Sequence, residues 1–314
     1  MSGPATVKVE VTDCAVCGSA CRETVARGRD YIYECCPEAF TMVRCTECGH
    51  HYLCPRPIPD QVGVIYPEHY ATFTGAYTGK GTLGRIKTAV SMRRLKLFAG
   101  IFRKGCRVLD VGCGDGRQLL DIKSRYPKVE AWGLDWRFPE ATASALEARG
   151  VKRIEGLVEK ACLPEGTFDL VIMTQLIEHL WEPRKALENI FRATAPGGLL
   201  CVETPNTAGW DRRWFADGAW GGYYFPRHQN LFDHKGLARF LEEAGFEVVS
   251  RDDLTAPMIW IYSLRARALE RGRRRLARFF GANPFWLGLF CVADLAARLA
   301  GRTTSNQRII ARKI

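Results

Sequence analysis

The chain has 314 residues, a formal net charge of +11 and a hydrophobic content of 47%. That length and composition allow a sizeable buried core, with room for one main domain and a small accessory one, and exclude a chain too polar to fold. The polar N-terminus lacks the apolar stretch of a cleavable signal, so the 13 cysteines are expected to be reduced thiols. We therefore expect a cytoplasmic protein.

Two Cys-x-x-Cys-Gly motifs occupy the first fifty residues. Cys14 and Cys17 form the first pair, Cys45 and Cys48 form the second, and the segment between them can form a hairpin. Four thiolates in two such pairs suit tetrahedral zinc, and the glycine after each pair lets backbone amides turn toward the sulfur atoms. We predict a structural zinc ribbon over residues 1–58; the alternative is a set of buried thiols. Six further side chains are spare ligand candidates: Cys21, Cys35, Cys36, Cys54, His50 and His51.

A proline-rich linker follows the ribbon. Pro55–Pro59 holds three prolines in five residues, which is stiff and incompatible with a helix. Residues 59–104 are predicted to form this linker and lid helices, and residues 105–314 the main domain.

The segment from Cys106 to Gly116 predicts a strand, a glycine turn and a helix. The apolar β-prone residues end at Asp110, three glycines alternate through the turn, and the helix-compatible stretch 117–126 follows. Glycine is needed where the backbone takes a positive φ or where a ligand approaches closer than a Cβ allows. This turn therefore predicts a nucleotide-like cofactor; a bare strand-to-helix turn is the alternative.

A second apolar strand, 129–135, ends in another acid. Asp135 comes about twenty residues after the glycine turn, where a carboxylate at the tip of the adjacent strand can accept both ribose hydroxyls. Trp136 is expected beside the adenine. The alternative for Asp135 is a solvated carboxylate at a strand end.

The rest of the main domain alternates strands and helices. Strands are predicted at 151–156, 168–173, after the Pro196-Gly-Gly turn, at 246–249 and at 308–313, with helices at 183–195 and 234–244. Such alternation implies a mostly parallel sheet covered by helices on both faces.

The Asp-x-Gly-x-Gly-x-Gly motif at 110–116 resembles the first motif of class I S-adenosylmethionine (SAM) methyltransferases. The dinucleotide fingerprint differs, because its third glycine comes one residue later. The resemblance spans about residues 105–253 and the C-terminal tail. It implies a Rossmann-like, doubly wound, mostly parallel seven-stranded sheet with an antiparallel last strand. It also implies that SAM is bound by Asp110, Gly112, Cys113, Gly114, Gly116, Asp135, Trp136, Glu159 and Gln175. Glu159 would bind the exocyclic amine of adenine, unless Lys160 pairs with it instead.

Residues 174–183 resemble the Glu-His segment of ubiquinone-type O-methyltransferases. Gln175, Glu178 and His179 follow the fourth predicted strand, at the sheet edge where ligands bind, and His228 supplies another imidazole. These groups can act as a general base, bind a divalent cation such as Mg²⁺, or only hydrogen-bond their neighbours. Related small-RNA methyltransferases bind metal through a Glu-x-x-Glu-His segment, whose first position is Gln175 here.

The front of the chain resembles bacterial methyltransferases that act on sugars, polysaccharide precursors and natural products. In those enzymes the segment before the sheet covers the SAM pocket, which makes Tyr66 and Tyr70 candidate lids or packed aromatics. The resemblance implies methylation of a hydroxyl of a saccharide, lipid-linked intermediate or small metabolite. The alternatives are a sugar C-methyltransferase, an RNA methyltransferase, or a zinc-ribbon interaction protein with a vestigial methyltransferase domain.

An insertion at 254–305 separates the last two strands. It carries an arginine-rich stretch and then an apolar run of about ten residues, shorter than the roughly twenty that span a bilayer. Residues 265–293 can lie on the inner face of a membrane, cap an acidic substrate, or simply pack on the domain with arginines in water. Because this segment supplies much of the positive charge, that charge argues weakly for nucleic acid.

Overall fold

The computed structural model describes residues 6–67, 94–103 and 105–314. The strands of these residues are, in chain order, β1 (Val9–Glu10), β2 (Arg22–Arg29), β3 (Ala39–Cys45), β4 (His51–Leu53), β5 (Arg56–Pro57), β6 (Arg107–Val111), β7 (Glu130–Asp135), β8 (Lys152–Glu155), β9 (Phe168–Thr174), β10 (Thr194–Pro205), β11 (Asn230–Leu231), β12 (Phe246–Leu254) and β13 (Asn306–Lys313). The helices are α1 (Val62–Ile65), α2 (Arg117–Arg125), α3 (Glu140–Glu147), α4 (Pro183–Ala193), α5 (His234–Glu243), α6 (Pro257–Glu270), α7 (Arg274–Phe279) and α8 (Pro284–Leu299).

Seven strands form the main sheet, in the order β12-β13-β10-β9-β6-β7-β8. Strand β13 runs antiparallel to both of its neighbours, and the other pairings are parallel. The central strands β6 and β9 are almost entirely buried, as expected for a parallel sheet covered on both faces. The predicted Rossmann-like seven-stranded fold is confirmed.

The chain leaves β6 toward β7 and β8, then returns to the other side of β6 as β9 and β10. Ligands of open α/β sheets bind at such a reversal, beyond the carboxyl ends of the strands. The topology therefore puts the candidate site beyond β6, β7 and β9.

The N-terminal segment forms a four-stranded sheet in the order β11-β4-β3-β2. Its edge strand β11 comes from the loop after β10, so part of the main domain completes this sheet. Val16 and Tyr52 share one hydrophobic core with Phe232 and Phe240. The two parts are therefore packed together, and the boundaries at 58 and 104 stay a prediction.

The predicted turn at Pro196-Gly-Gly is part of a strand in the structure. Helix α4 ends at Ala193 and β10 begins at Thr194, so Pro196, Gly197 and Gly198 lie within the strand. The pairing of β10 with β9 shifts register between Thr194 and Leu199, which accommodates these residues as an irregularity.

The insertion consists of α6, α7 and α8, with α6 packed against both of the others. Among the described residues, no helix combines the length and the hydropathy needed to cross a bilayer.

Candidate active site

A cavity of about 360 Å³ opens at the carboxyl ends of the central strands. Its walls come from the glycine turn, the ends of β7 and β9, the loop after β8 and the segment before the main sheet. Sixteen residues line it: Pro59, Val62, Tyr66, Gly112, Leu134, Asp135, Trp136, Gly156, Leu157, Val158, Glu159, Gln175, Leu176, His179, Leu180 and Trp181. Six of the predicted cofactor and catalytic residues are therefore together in one cavity.

The glycine turn is shaped by positive φ angles and close packing. Gly112 has a φ of 70° and Gly116 a φ of 71°. A Cβ on Gly112 would lie 2.8 Å from a methyl carbon of Leu176, and one on Gly116 would lie 2.6 Å from a methyl carbon of Leu146. Any side chain would strain both positions and displace these leucines.

Asp135 is tied to this turn. Its carboxylate accepts hydrogen bonds from the backbone N–H of Gly114 (2.8 Å) and of Trp136 (2.8 Å). Each carboxylate oxygen has a second lone pair. The side chain is therefore held in a fixed direction at the cavity wall while retaining acceptor capacity.

Asp110 and Cys113 are buried at the same turn and do not belong to the described cavity lining. Burial raises the pKa of Asp110 to about 7, against the opposing charge of Arg94. Arg94 itself pairs with Glu203 at 3.0 Å. Asp110 thus lies under the turn at the end of β6, whereas Cys113 is a buried residue of the turn itself.

Glu159 and Gln175 lie on the cavity wall. Oε2 of Glu159 is buried and has no hydrogen-bond partner among the described residues, and burial raises the pKa of this carboxyl. The Gln175 side chain donates to Asn306 at 3.1 Å, and its φ is 51°, a conformation uncommon for a residue with a Cβ. Glu159 is therefore an unused acceptor, whereas Gln175 is already engaged.

Glu178, His179 and His228 form a cluster beside the cavity. One side-chain ligand atom from each of them lies within 4.8 Å of the other two. Oε2 of Glu178 accepts from the Thr204 hydroxyl at 2.8 Å, and Oε1 lies 4.0 Å from Nε2 of His228. The imidazole rings of His179 and His228 are 4.7 Å apart. His179 reaches the cavity lining, so the cluster is connected to the cofactor site.

Backbone carbonyls fix the tautomers of both histidines. Nδ1 of His228 lies 2.7 Å from the carbonyl oxygen of Gly222, and Nδ1 of His179 lies 3.1 Å from that of Arg227. A carbonyl oxygen only accepts, so a hydrogen bond to it needs the proton on Nδ1, and Nε2 then keeps its lone pair. The hydroxyl of Tyr66 also lies 2.8 Å from Nδ1 of His179. Both rings can therefore accept a proton or bind a cation through Nε2.

Burial shifts the pKa values of all three groups toward their neutral forms. The pKa of Glu178 is raised to about 8, that of His179 is lowered to about 4, and that of His228 is lowered well below its usual range. The pKa of His228 is lowered further by His179. At neutral pH the cluster thus holds two neutral imidazoles and a mostly protonated carboxyl.

Arg227 and Asp30 are site residues that sequence reasoning missed. Both side chains are fully buried and joined by two hydrogen bonds, of 2.8 and 3.1 Å. The Arg227 carbonyl holds His179, and the next residue is His228. Adjacency to His228 was an available signal for Arg227, whereas no local pattern marks Asp30.

The four predicted zinc ligands also come together. Sγ of Cys14 lies 3.5 Å from that of Cys48, Sγ of Cys17 lies 3.5 Å from that of Cys45, and all four fall within 4.8 Å. Tetrahedral zinc with Zn–S bonds of about 2.3 Å needs sulfur atoms about 3.8 Å apart, so this donor set fits the ion. Among the spare candidates, His50 pairs with Asn230 and Cys35 with Asp30, whereas Cys21 is exposed. Tyr70 lies outside the described residues.

The sheet order and the cavity at its reversal define a class I SAM-dependent methyltransferase fold. A sequence model of the family described as "Methyltransferase domain" matches residues 85–251. The chain belongs to this family, which confirms the resemblance to class I SAM-dependent methyltransferases.

Curated relatives share this domain. A Mycolicibacterium smegmatis protein named as a probable S-adenosylmethionine-dependent methyltransferase is 34% identical over 150 residues, 46% of this chain and 53% of the relative. A rice chloroplast protein, 2-methyl-6-phytyl-1,4-hydroquinone methyltransferase 2, is 28% identical over 196 residues, 60% of this chain and 53% of the relative. The chain spans about half the length of these curated relatives.

Solved structures agree with the fold. Phosphoethanolamine N-methyltransferase 2 of Haemonchus contortus, in complex with S-adenosyl-L-methionine, has a TM-score of 0.54 at 17% identity and covers 93% of this chain and 68% of its own. A 1,6-didemethyltoxoflavin-N1-methyltransferase of Burkholderia thailandensis has a TM-score of 0.50 at 16% identity and covers 85% of this chain and 97% of its own. At these identities the likeness concerns the fold alone.

Proposed function

We propose that the protein transfers a methyl group from SAM to a hydroxyl of a saccharide, lipid-linked intermediate or small metabolite. The observation that carries this proposal is a cofactor-sized cavity, walled by Gly112, Asp135 and Glu159, that a neutral imidazole, His179, also lines. Methyl donor and proton acceptor would therefore meet in one place.

The polar groups of the cavity wall are suited to bind SAM. Asp135 retains lone pairs for the ribose hydroxyls, and the unpartnered Glu159 Oε2 can accept from the adenine amine. Trp136 offers an aromatic face at the same wall. When bound, SAM supplies an activated methyl on a sulfonium, so alignment and removal of the acceptor proton remain for the protein.

In this proposal His179 or His228 takes the acceptor proton on Nε2. The carbonyls of Arg227 and Gly222 hold the rings in the tautomer that this requires. Glu178, whose Oε1 lies 4.0 Å from Nε2 of His228, would lose its own proton more readily once an imidazolium forms beside it, and its carboxylate would then stabilise that imidazolium. A positioned base of this kind contributes typically about 10²- to 10⁴-fold to the rate.

A divalent cation at Glu178, His179 and His228 is the second candidate, favoured by the close approach of their ligand atoms. The Nδ1-to-carbonyl bonds are those that orient metal-binding histidines. Two imidazoles with one carboxylate suit a transition-metal ion better than Mg²⁺, which prefers oxygen ligands. In this case Glu178, His179 and His228 would hold an ion that binds the acceptor hydroxyl, and neither histidine would take the proton.

The proposal includes structural zinc on Cys14, Cys17, Cys45 and Cys48, a ribbon over 1–58, a lid region over 59–104 and a catalytic domain over 105–314. Cytoplasmic location and membrane contact through 265–293 also belong to it. Pairing of β11 with β4 supports a ribbon that helps to build the acceptor side of the site.

The acceptor can be identified with labelled SAM. The protein and its Asp135→Asn variant would be incubated with methyl-labelled SAM and a fractionated cell extract. We expect label in a glycan, lipid or small-molecule fraction with the wild-type protein and background with the variant. Label in RNA, or on a carbon atom, would select an alternative acceptor, and no SAM-dependent label in any fraction would contradict the enzymatic proposal.

A further inference from the structure

Helices α7 and α8 carry strong positive charge with little acid to balance it. Residues 271–299 contain six arginines and one acid, Asp294. Asp294 is fully buried, where it accepts from the Trp260 indole and the Ala256 backbone. Arg274 pairs with Glu34 at 3.7 Å, whereas Arg273, Arg275 and Arg278 are exposed and make no ion pair with the described residues. Their charge therefore faces solvent.

Helix α8 has two different faces. Trp286, Phe290 and Asp294 recur at helical spacing on the inner face, where Phe290 stacks on Trp260 with ring centres 5.3 Å apart. Five apolar residues recur on the opposite face, and all of them are exposed: Phe285 (67%), Leu289, Val292 (64%), Leu295 and Leu299 (92%). An apolar stripe over the full length of a surface helix is unusual for a face left in water.

The basic residues and the apolar stripe meet at the α7–α8 corner. Phe279 at the end of α7 is 62% exposed, and its ring packs against Trp286 at 5.4 Å. Leu276 is also exposed, and Arg275 and Phe279 are four residues apart, so they share one face of α7. Exposed aromatic and aliphatic groups are thus flanked by unpaired guanidinium groups.

We propose that α7 and α8 dock the protein on an anionic lipid surface. The apolar stripe would enter the boundary between headgroups and acyl chains, and Arg273, Arg275 and Arg278 would contact lipid phosphates. This surface combines exposed apolar side chains with arginines and carries no exposed acid. It therefore matches an anionic bilayer in charge as well as in hydrophobicity. A helix of 16 residues cannot cross that bilayer, so the contact is parallel to its plane.

This surface is connected to the acceptor side of the site. Helix α6, which packs against α7 and α8, stacks Tyr262 on Tyr224 at 5.7 Å, and Tyr224 lies 5.0 Å from the His228 ring. Helix α6 therefore joins the docking helices to the histidine cluster. The docking itself does not depend on the methyl-transfer chemistry.

Vesicle binding tests the proposal. The full chain would be sedimented with vesicles of phosphatidylcholine alone and of phosphatidylcholine with phosphatidylglycerol. We expect binding to the anionic vesicles that weakens as salt is raised. The pair Arg275→Gln and Arg278→Gln should lower the partition coefficient by about ten- to thirtyfold, and the pair Phe285→Ser and Leu289→Ser should lower it by about tenfold or more.

Matched controls are available on other surfaces. Val11→Ser removes an equally exposed apolar side chain, and Arg149→Gln removes an exposed arginine. Both should bind vesicles like the wild type, and all variants should keep the wild-type melting temperature.

Equal vesicle binding by all variants, or no binding to anionic vesicles, would overturn the proposal. A dimer that the Phe285/Leu289 variant dissociates, without vesicle binding, would assign the surface to a second copy of the chain. Vesicle binding without methyl transfer would leave the docking intact and refute only the proposed methyl-transfer activity.

Discussion

Asp30 and Arg227 are 197 residues apart in the chain and form a fully buried ion pair with hydrogen bonds of 2.8 and 3.1 Å. Asp30 follows β2 of the N-terminal sheet, and Arg227 lies in the loop that carries His228. Backbone N–H groups of Tyr33 and Cys35 also donate to Asp30. The pair therefore fastens the N-terminal hairpin to the histidine cluster.

Breaking this pair should destabilise the protein strongly. Asp30→Ala leaves a guanidinium buried without its partner, and we expect the free energy of unfolding to fall by about 3–5 kcal/mol in chemical denaturation. Glu23→Gln, which breaks an exposed pair with Arg44, is the matched control. It should change the free energy of unfolding by less than about 1 kcal/mol. Equal effects of the two substitutions would mean that the buried pair has no special structural role.

The same pair predicts an acid-dependent stability. Burial alone would raise the pKa of Asp30, but the bonds from Arg227 lower it from 3.8 to about 2. The stabilisation is therefore complete above the unfolded-state pKa of 3.8 and is lost as the pH falls through about 2. Between these pH values, the free energy of unfolding should fall more steeply with decreasing pH in the wild type than in the Asp30→Asn variant. Parallel pH profiles of the two proteins would contradict this assignment.

Asp135→Asn should weaken SAM binding by roughly ten- to a hundredfold. The substitution keeps the size of the side chain but removes the charge, and a hydrogen bond to a charged group is worth about 1.5–3 kcal/mol. Isothermal titration calorimetry with SAM measures the change, and Glu140→Gln on α3 is the control. An unchanged dissociation constant would remove Asp135 from the cofactor site.

The pH dependence of the rate should identify the base. An ordinary imidazole titrates near about 6.5, but burial lowers the pKa of His179 to about 4. If His179 is the base, kcat should stay high down to weakly acidic pH and fall as the pH drops through about 4. His179→Ala should lower kcat by about 10² or more and remove that limb, with little change in SAM affinity.

Other outcomes of the same measurement have distinct meanings. A loss of rate as the pH falls through about 8 would assign the base to Glu178. Activity lost in chelator and restored by a divalent cation would make the cluster a metal site. If substitutions of His179 and His228 change kcat by only a few fold and no cation is needed, the cluster is structural.

The cysteine cluster should contain about one zinc ion per chain by atomic absorption. The double substitution Cys14→Ser and Cys17→Ser should abolish zinc binding and lower the stability of the N-terminal sheet, because metal binding is coupled to folding. Cys21→Ser removes an exposed thiol and should retain both zinc and stability. A zinc-free wild-type protein that stays folded and active would exclude the ribbon.

The sequence by itself determined the main sheet and its glycine turn. The β6-turn-α2 unit and the acid at the end of β7 are local patterns, because strand, turn and helix preferences depend on neighbouring residues. The predicted helix at 117–126 is observed at Arg117–Arg125, and the strand at 129–135 at Glu130–Asp135. The two cysteine pairs were likewise readable from their spacing.

Only the tertiary structure decided how the histidine cluster is built. The tautomers of His179 and His228 depend on carbonyls of Arg227 and Gly222, and Arg227 depends on Asp30 from another part of the chain. The pairing of β11 with β4 in the N-terminal sheet likewise joins residues that are far apart in the chain. Contacts between residues far apart in sequence, and the burial that shifts their pKa values, arise from packing, which no local pattern encodes.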